Sequence, residues 1–235
     1  MNTVLDMPLT ALAIPPVLDH KRSVPDVLIF TAFGIVGLCT LAIYLMAIRR
    51  GFLDKYSTLP VLAACANVSW EVTYAFVYPI DPHMRIVLFF WLPLNLVLLW
   101  QAIRYGRKDF PGMSRAVFGC MVIGWFAFTL SFMIVATREF DDRVGAYTTV
   151  FVVVLMEALF IVMLRARRST VGQTMYIAVL KTVIDSAGAV GLIAWYPNRW
   201  LLYQMIAAEL TLDLIYIVLL YRQFKAEDVN PWQKV

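Results

Sequence analysis

Five carboxylates stand in stretches of the chain that are otherwise apolar: Glu71, Glu157, Asp185, Glu209 and Asp213. A single base, Lys181, accompanies them. Fully ionised, the set would carry five negative charges and one positive, a surplus of four. Each uncompensated charge near the middle of a bilayer costs at least ~2.5–3.5 kcal/mol, so several of these acids are expected to keep their protons at neutral pH. Neutral carboxylic acids in dry surroundings are proton donors.

Polar and aromatic residues cluster around them. Asn67, Glu71, Tyr74 and Tyr78 follow the i, i+4, i+7, i+11 spacing of one helical stripe, with Trp70 beside it. Glu209, Asp213 and Tyr216 repeat i, i+4, i+7. Trp91 and Asn95 are one turn apart, with Pro93 between them as a source of a kink. Lys181 and Asp185 are also one turn apart and read first as a structural ion pair. Ser186, Gly188 and Gly191 behind them read as close helix packing. Asn95 and Glu157 admit a plain role, hydrogen bonding between helices. Trp195, Tyr196, Trp200 and Tyr221 read as interfacial belt residues.

The elements that must position these groups are long apolar helices. The chain of 235 residues is 61% hydrophobic and 15% charged, too apolar for a soluble domain, and its apolar residues come in blocks. A bilayer core takes ~20 residues as a helix. Seven blocks qualify, at about 27–48, 58–80, 86–103, 116–136, 144–164, 171–196 and 200–221. Alternation in short segments, the mark of a transmembrane β-barrel, is lacking. The expectation is an all-α membrane protein, one seven-helix domain over residues 1–235. The stretch to Pro25 lacks the pattern of a signal peptide and reads as a loop or surface segment. Cys39, Cys65 and Cys120 have no metal-ligand spacing and read as reduced packing residues.

Basic residues set the orientation. Thirteen fall after spans 1, 3, 5 and 7, against six in the N-terminal segment and the other loops. The positive-inside rule then puts the N-terminus outside and the C-terminus in the cytosol. Those loops account for the pI near 9.0, so no nucleic-acid partner is expected. With alternating helices, Glu71, Asn95, Glu157, Asp185, Glu209 and Asp213 lie about nine to thirteen residues from the outer end, roughly 13–20 Å deep. Their shared depth predicts convergence on a pocket.

The string NVSWEVTYAFVYP, residues 67–79, resembles the second-helix signature of the integral-membrane terpene cyclases of fungal meroterpenoid and indole-diterpene and bacterial indole-sesquiterpene biosynthesis. Trp91 with Leu94-Asn95, Glu157, and Leu212-Asp213 with Tyr216 resemble that family's later motifs, in order along nearly the whole chain. The resemblance implies acid-initiated cyclisation of a prenyl chain attached to an aromatic or heteroaromatic group, by protonation of a terminal epoxide or alkene. It implies Glu71 and Asp213 as the essential acids, with Asn67, Trp70, Tyr74, Trp91, Asn95, Glu157 and Tyr216 around the substrate. Lys181, Asp185 and Glu209 fall on no family motif and stand as auxiliary groups, so which acid delivers the proton stays open. Asn67, one turn before Glu71, is expected to orient its carboxyl. An upstream prenyltransferase and an epoxidase are the implied pathway partners, and a bacterial plasma membrane or fungal endoplasmic reticulum the implied location.

No cofactor and no metal are expected. The one Asp pair, Asp141-Asp142, lacks the later acid of a magnesium motif and reads as a solvated turn. Two rival classes make demands that the sequence does not meet. A retinal-type protein needs a Schiff-base lysine on its last helix, whereas Lys181 is on the sixth. A proton-coupled transporter is expected to show internal repeats, and none is evident.

Overall fold

A computed structural model of the chain describes residues 26–196 and 198–233. The N-terminal stretch to Pro25 and the basic residue Lys234 lie outside the described residues. Among the described residues seven α-helices run in order: α1 (Asp26–Asp54), α2 (Val61–Val72), α3 (Pro82–Tyr105), α4 (Arg115–Glu139), α5 (Ala146–Arg167), α6 (Met175–Trp195) and α7 (Trp200–Ala226). A π-helical turn (Thr73–Val77) continues α2, a 3-10 turn (Gly106–Asp109) follows α3, and the described residues contain no strand.

Six of these helices are long and apolar enough to cross a membrane; α2 with its π turn, Val61–Val77, is shorter. The helix expected over 58–80 is trimmed because Pro60 holds extended backbone (φ −56°, ψ 138°) at its start. The one expected from 171 starts at Met175, where the Thr174 side chain caps it by accepting the Ile177 N–H at 3.1 Å. α1 and α7 outrun their apolar stretches, because Arg49, Arg50, Arg222 and Lys225 extend them as polar turns. α3 continues through Pro93 as one element.

The packing closes a ring. α1 packs on α3, α3 on α2, α2 on α5, α5 on α7, α7 on α6, and α6 back on α1. α4 lies outside this ring, against α2 and α5. α2 is therefore enclosed on two sides, and its small residues Ala63, Cys65, Ala66 and Ser69 have no exposed surface. Small side chains let neighbouring backbones approach closely where no water drives association. Gly191 serves the same purpose on α6: a Cβ there would sit 3.2 Å from the Phe33 ring of α1.

Polarity is inverted relative to a water-soluble protein. Leu38, Phe90 and Ile123 are 73%, 71% and 71% exposed, while Glu71, Glu157 and Asp213 are 2%, 0% and 1% exposed. An apolar exterior over a polar interior is the arrangement a bilayer requires, and the chain is an integral multi-pass membrane protein. Trp200 and Tyr221 are exposed, whereas Trp195 packs edge-on against Phe33 at 5.6 Å.

One end of the bundle is stitched by charges. Arg167 donates to both oxygens of Asp109 at 2.7 and 2.6 Å and to the Ser57 carbonyl. Asp54 accepts the Gly172 N–H at 2.7 Å, and Glu227 accepts the Thr170 N–H at 2.7 Å. These bonds gather the α1–α2, α3–α4 and α5–α6 connections and the end of α7, as strict up-and-down alternation demands.

Candidate active site

Each of the six ring helices turns a polar group inward, and the groups form two clusters, one from each half of the ring. The first comes from α1, α2 and α3. Glu71 on α2 accepts a hydrogen bond at 2.6 Å from the side-chain amide of Asn95 on α3. The same nitrogen donates to the Tyr44 hydroxyl on α1 at 2.8 Å. Trp91, one turn before Asn95, meets Tyr44 edge-on with ring centroids 6.4 Å apart. Every partner of the Glu71 carboxyl here is neutral. Its Oε2 is buried and unpartnered, as is Asn95 Oδ1.

The second cluster comes from α5, α6 and α7 and is built on a cation. The Lys181 ammonium on α6 makes ion pairs with Glu157 of α5 and Asp185 of its own helix, and reaches Asp213 Oδ1 of α7 at 3.4 Å. Oxygens of the three carboxylates lie within 4.8 Å of one another. That spacing would suit a divalent ion, but the lysine ammonium already pairs with all three acids. Glu209, one turn before Asp213, is buried within electrostatic reach of Asp185 and Lys181. Asp213 Oδ2, Glu157 Oε2 and Glu209 Oε2 have no hydrogen-bond partner among the described residues. No hydrogen bond or ion pair among the described residues joins this cluster to Glu71.

Carboxyl groups with free oxygens, set on helices that exclude water, suit proton transfer to an apolar substrate. Comparison with known proteins decides which kind. The family model of Pyr4-like transmembrane terpene cyclases matches residues 10–226, from ahead of α1 to the end of α7. The chain belongs to this family. Terpene cyclase spyD of Aspergillus fumigatus is 22% identical over 94% of this chain and 98% of its own length. Terpene cyclase macJ of Penicillium terrestre is 30% identical over 45% of this chain, a match spanning 40% of that protein. The Pyr4-family terpene cyclase mfmH of Annulohypoxylon moriforme is 24% identical over 68% of this chain and 65% of that protein. No solved structure matches it. The chain is thus an enzyme, a membrane terpene cyclase.

In this cyclase the structure redistributes several residues expected at the site. Asn95, not Asn67, holds Glu71, because α3 packs directly on the Glu71 face of α2 while Asn67 is only half-buried. Tyr74 leaves the Glu71 stripe. The helix widens to π geometry at Thr73, and the tyrosine turns towards α4 and α5. Its hydroxyl meets Thr137 Oγ1 and Thr148 Oγ1 at 2.8 Å each and donates to the Asp142 carbonyl at 3.0 Å. Trp70 packs against it at a tilt of 46°, with centroids 4.9 Å apart, and its indole N–H donates to Thr148 at 3.2 Å. Gly145 is required beside these rings: its φ is +75°, and a Cβ would fall 2.8 Å from Trp70.

Asp142 is not the solvated turn residue expected. It is 4% exposed, and its Oδ2 accepts from the Thr148 N–H and hydroxyl at 2.9 Å each. Burial in this loop raises its carboxyl above the ordinary aspartate range, against the pull of those hydrogen bonds. Tyr216 also points elsewhere: its hydroxyl donates to Gln173 at 2.8 Å, and its ring packs on Phe160. A groove of about 260 Å³ lined by Phe132, Phe140 and Tyr147 lies against α4 and holds none of the acids. Tyr44 is the site residue that sequence reasoning missed; a phenol in mid-span on α1 was its one signal.

These placements make Tyr74→Phe a test of structure against substrate contact. Losing a buried hydroxyl with three partners is expected to lower stability by about 1–3 kcal/mol in thermal unfolding of the solubilised protein. Turnover per folded molecule should be unchanged. A large loss of turnover at unchanged stability would return Tyr74 to the substrate.

Proposed function

We propose that this cyclase converts a linear prenyl chain, already joined to an aromatic or heteroaromatic group, into fused rings, with Glu71 as the proton donor. The observation that carries the assignment is the contrast between the two halves of the ring. Glu71 has only neutral partners, Asn95 and, through it, Tyr44. Nothing there offsets an ionised carboxylate, so Glu71 holds its proton. Asp213 stands beside an ammonium that it shares with Glu157 and Asp185, and that positive charge favours its ionised form.

The prenyl chain lies between the two clusters. Glu71 Oε2 transfers its proton to the terminal epoxide oxygen, and the C–O bond to the more substituted carbon breaks. For an alkene substrate the proton goes to the terminal C=C instead. The cation is taken up by successive double bonds, each forming one C–C bond and passing the charge along. Tyr44 and Trp91 present aromatic faces that stabilise such charge by ~0.5–2 kcal/mol each without trapping it. Loss of a proton from the last cation to Asp213 ends the sequence, so product and substrate are isomers; exchange with water once the product has left then removes that proton from Asp213 and restores one to Glu71. Excluded water keeps the cation from being quenched.

The same reading takes α2 as a seventh, shorter crossing, with the N-terminus outside and the loops bearing thirteen basic residues in the cytosol. A lipophilic substrate reaches the bundle from the bilayer, supplied by a prenyltransferase and, for the epoxide, an epoxidase.

The test is direct. Membranes bearing the protein, given a farnesylated aromatic compound or its terminal epoxide, should yield a product of unchanged mass with fewer alkene protons in its NMR spectrum. If neither compound is consumed, and a panel of prenyl lengths and head groups fares no better, the proposal fails.

A further inference from the structure

We infer that Lys181 is the positioning residue of the second cluster: it draws Asp213, Glu157 and Asp185 together, and so sets where the Asp213 carboxyl stands. The inference rests on the cyclase reading above.

Three observations support it. The lysine sits where α5 and α7 meet α6, and its contacts reach one carboxylate from each helix. Its pairs with Glu157 and Asp185 are the closer ones, while Asp213 is held more loosely at 3.4 Å through Oδ1. Asp213 Oδ2 stays buried and unpartnered. Glu157 and Asp185 therefore anchor the ammonium, and the ammonium steers Asp213. Among the described residues it is also the one cation in reach. α1, which packs along α6, has no charged residue between Val27 and Ile48, and α5 and α7 bring only Glu157, Glu209 and Asp213 at this level. Without Lys181, carboxylates within 4.8 Å of one another would lack a counter-charge and would relieve the repulsion by taking up protons and moving apart, and either change takes Asp213 out of its working state.

A lysine that positions through charge differs from one that merely packs, because its loss can be compensated by removing a charge. K181M keeps the stem volume and deletes the ammonium. Purified K181M is expected to lose about 100-fold in kcat, the scale of a 1 Å misplacement, with KM unchanged because Lys181 does not touch the substrate. Neutralising the neighbour in K181M/D185N should recover about tenfold of that loss, since the charge surplus falls by one and the amide can still hydrogen-bond to Asp213. All rates are taken per monodisperse molecule in gel filtration, so a loss of folded protein does not count as a loss of kcat. Should K181M fail to accumulate, K181M/D185N is expected to accumulate and turn over, within about tenfold of the wild type. Wild-type kcat in K181M, or a K181M/D185N variant as slow as K181M or unable to fold, overturns the inference. A wild-type protein inert on every prenylated substrate counts against the cyclase reading instead.

Discussion

Glu71→Gln is expected to leave the substrate intact, with product formation down by at least about 10³-fold, towards the upper end of what a general acid supplies. The substitution is close to isosteric at a side chain only 2% exposed. Its amide oxygen can still accept the Asn95 hydrogen bond made at 2.6 Å to Oε1, so α2 and α3 stay joined. What changes is the other atom. The unpartnered Oε2 becomes an NH₂ group, which can donate a hydrogen bond but cannot surrender a proton to an epoxide or alkene. The variant should therefore accumulate in membranes and unfold at close to the wild-type temperature. The measurements are substrate consumption and product by mass spectrometry, beside a melting curve in detergent. Turnover of E71Q near the wild-type rate would remove Glu71 from the initiating step.

The sequence displays charge well and direction poorly. Carboxylates such as Glu157 and Asp213 stand out because almost nothing else in those spans is polar, and the helices follow from the same apolar runs. Partners across helices are another matter. Lys181 was paired with Asp185 because that residue is one turn away on its own helix. Glu157 and Asp213 come to it only through the packing of α5 and α7. Asn67 is expected beside the Glu71 carboxyl for the same reason, intrahelical spacing being visible and the interhelical approach of Asn95 not.

Tyr74 failed in another way. The Thr73 hydroxyl donates back to the Ser69 carbonyl at 2.7 Å where the π turn begins. Past that point the 3.6-residue stripe no longer applies, so the acid and the tyrosine that share a motif face different neighbours. Conserving the spacing of such a motif would keep two tasks at once: Glu71 aimed into the ring, and Tyr74 locking α2 to α4 and α5.

Asp213→Asn is expected to fail differently from Glu71→Gln, and the difference assigns the two acids. Asparagine keeps the side-chain shape and can still offer its oxygen to Lys181, but it loses both the negative charge and the capacity to take up a proton. Formation of the normal product should fall by about 10²–10⁴-fold. Glu71, on the opposite half of the ring and bound to Asn95, is untouched, so initiation continues. The cation then lacks its acceptor and must lose a proton elsewhere or capture water. Some substrate should disappear into isomeric alkenes, incompletely closed rings and alcohols heavier by one water. The enzyme also loses one of the three carboxylates around Lys181, leaving Glu157 and Asp185 to hold the ammonium. That loss should slow turnover without restoring the normal ending. If D213N instead leaves the substrate as intact as E71Q does, Asp213 belongs to proton delivery, and the two halves of the ring act as one acid. If D213N gives the normal product at the wild-type rate, Asp213 takes no part in the chemistry, and Glu157 or Glu209, each with a free buried oxygen, becomes the acceptor to test.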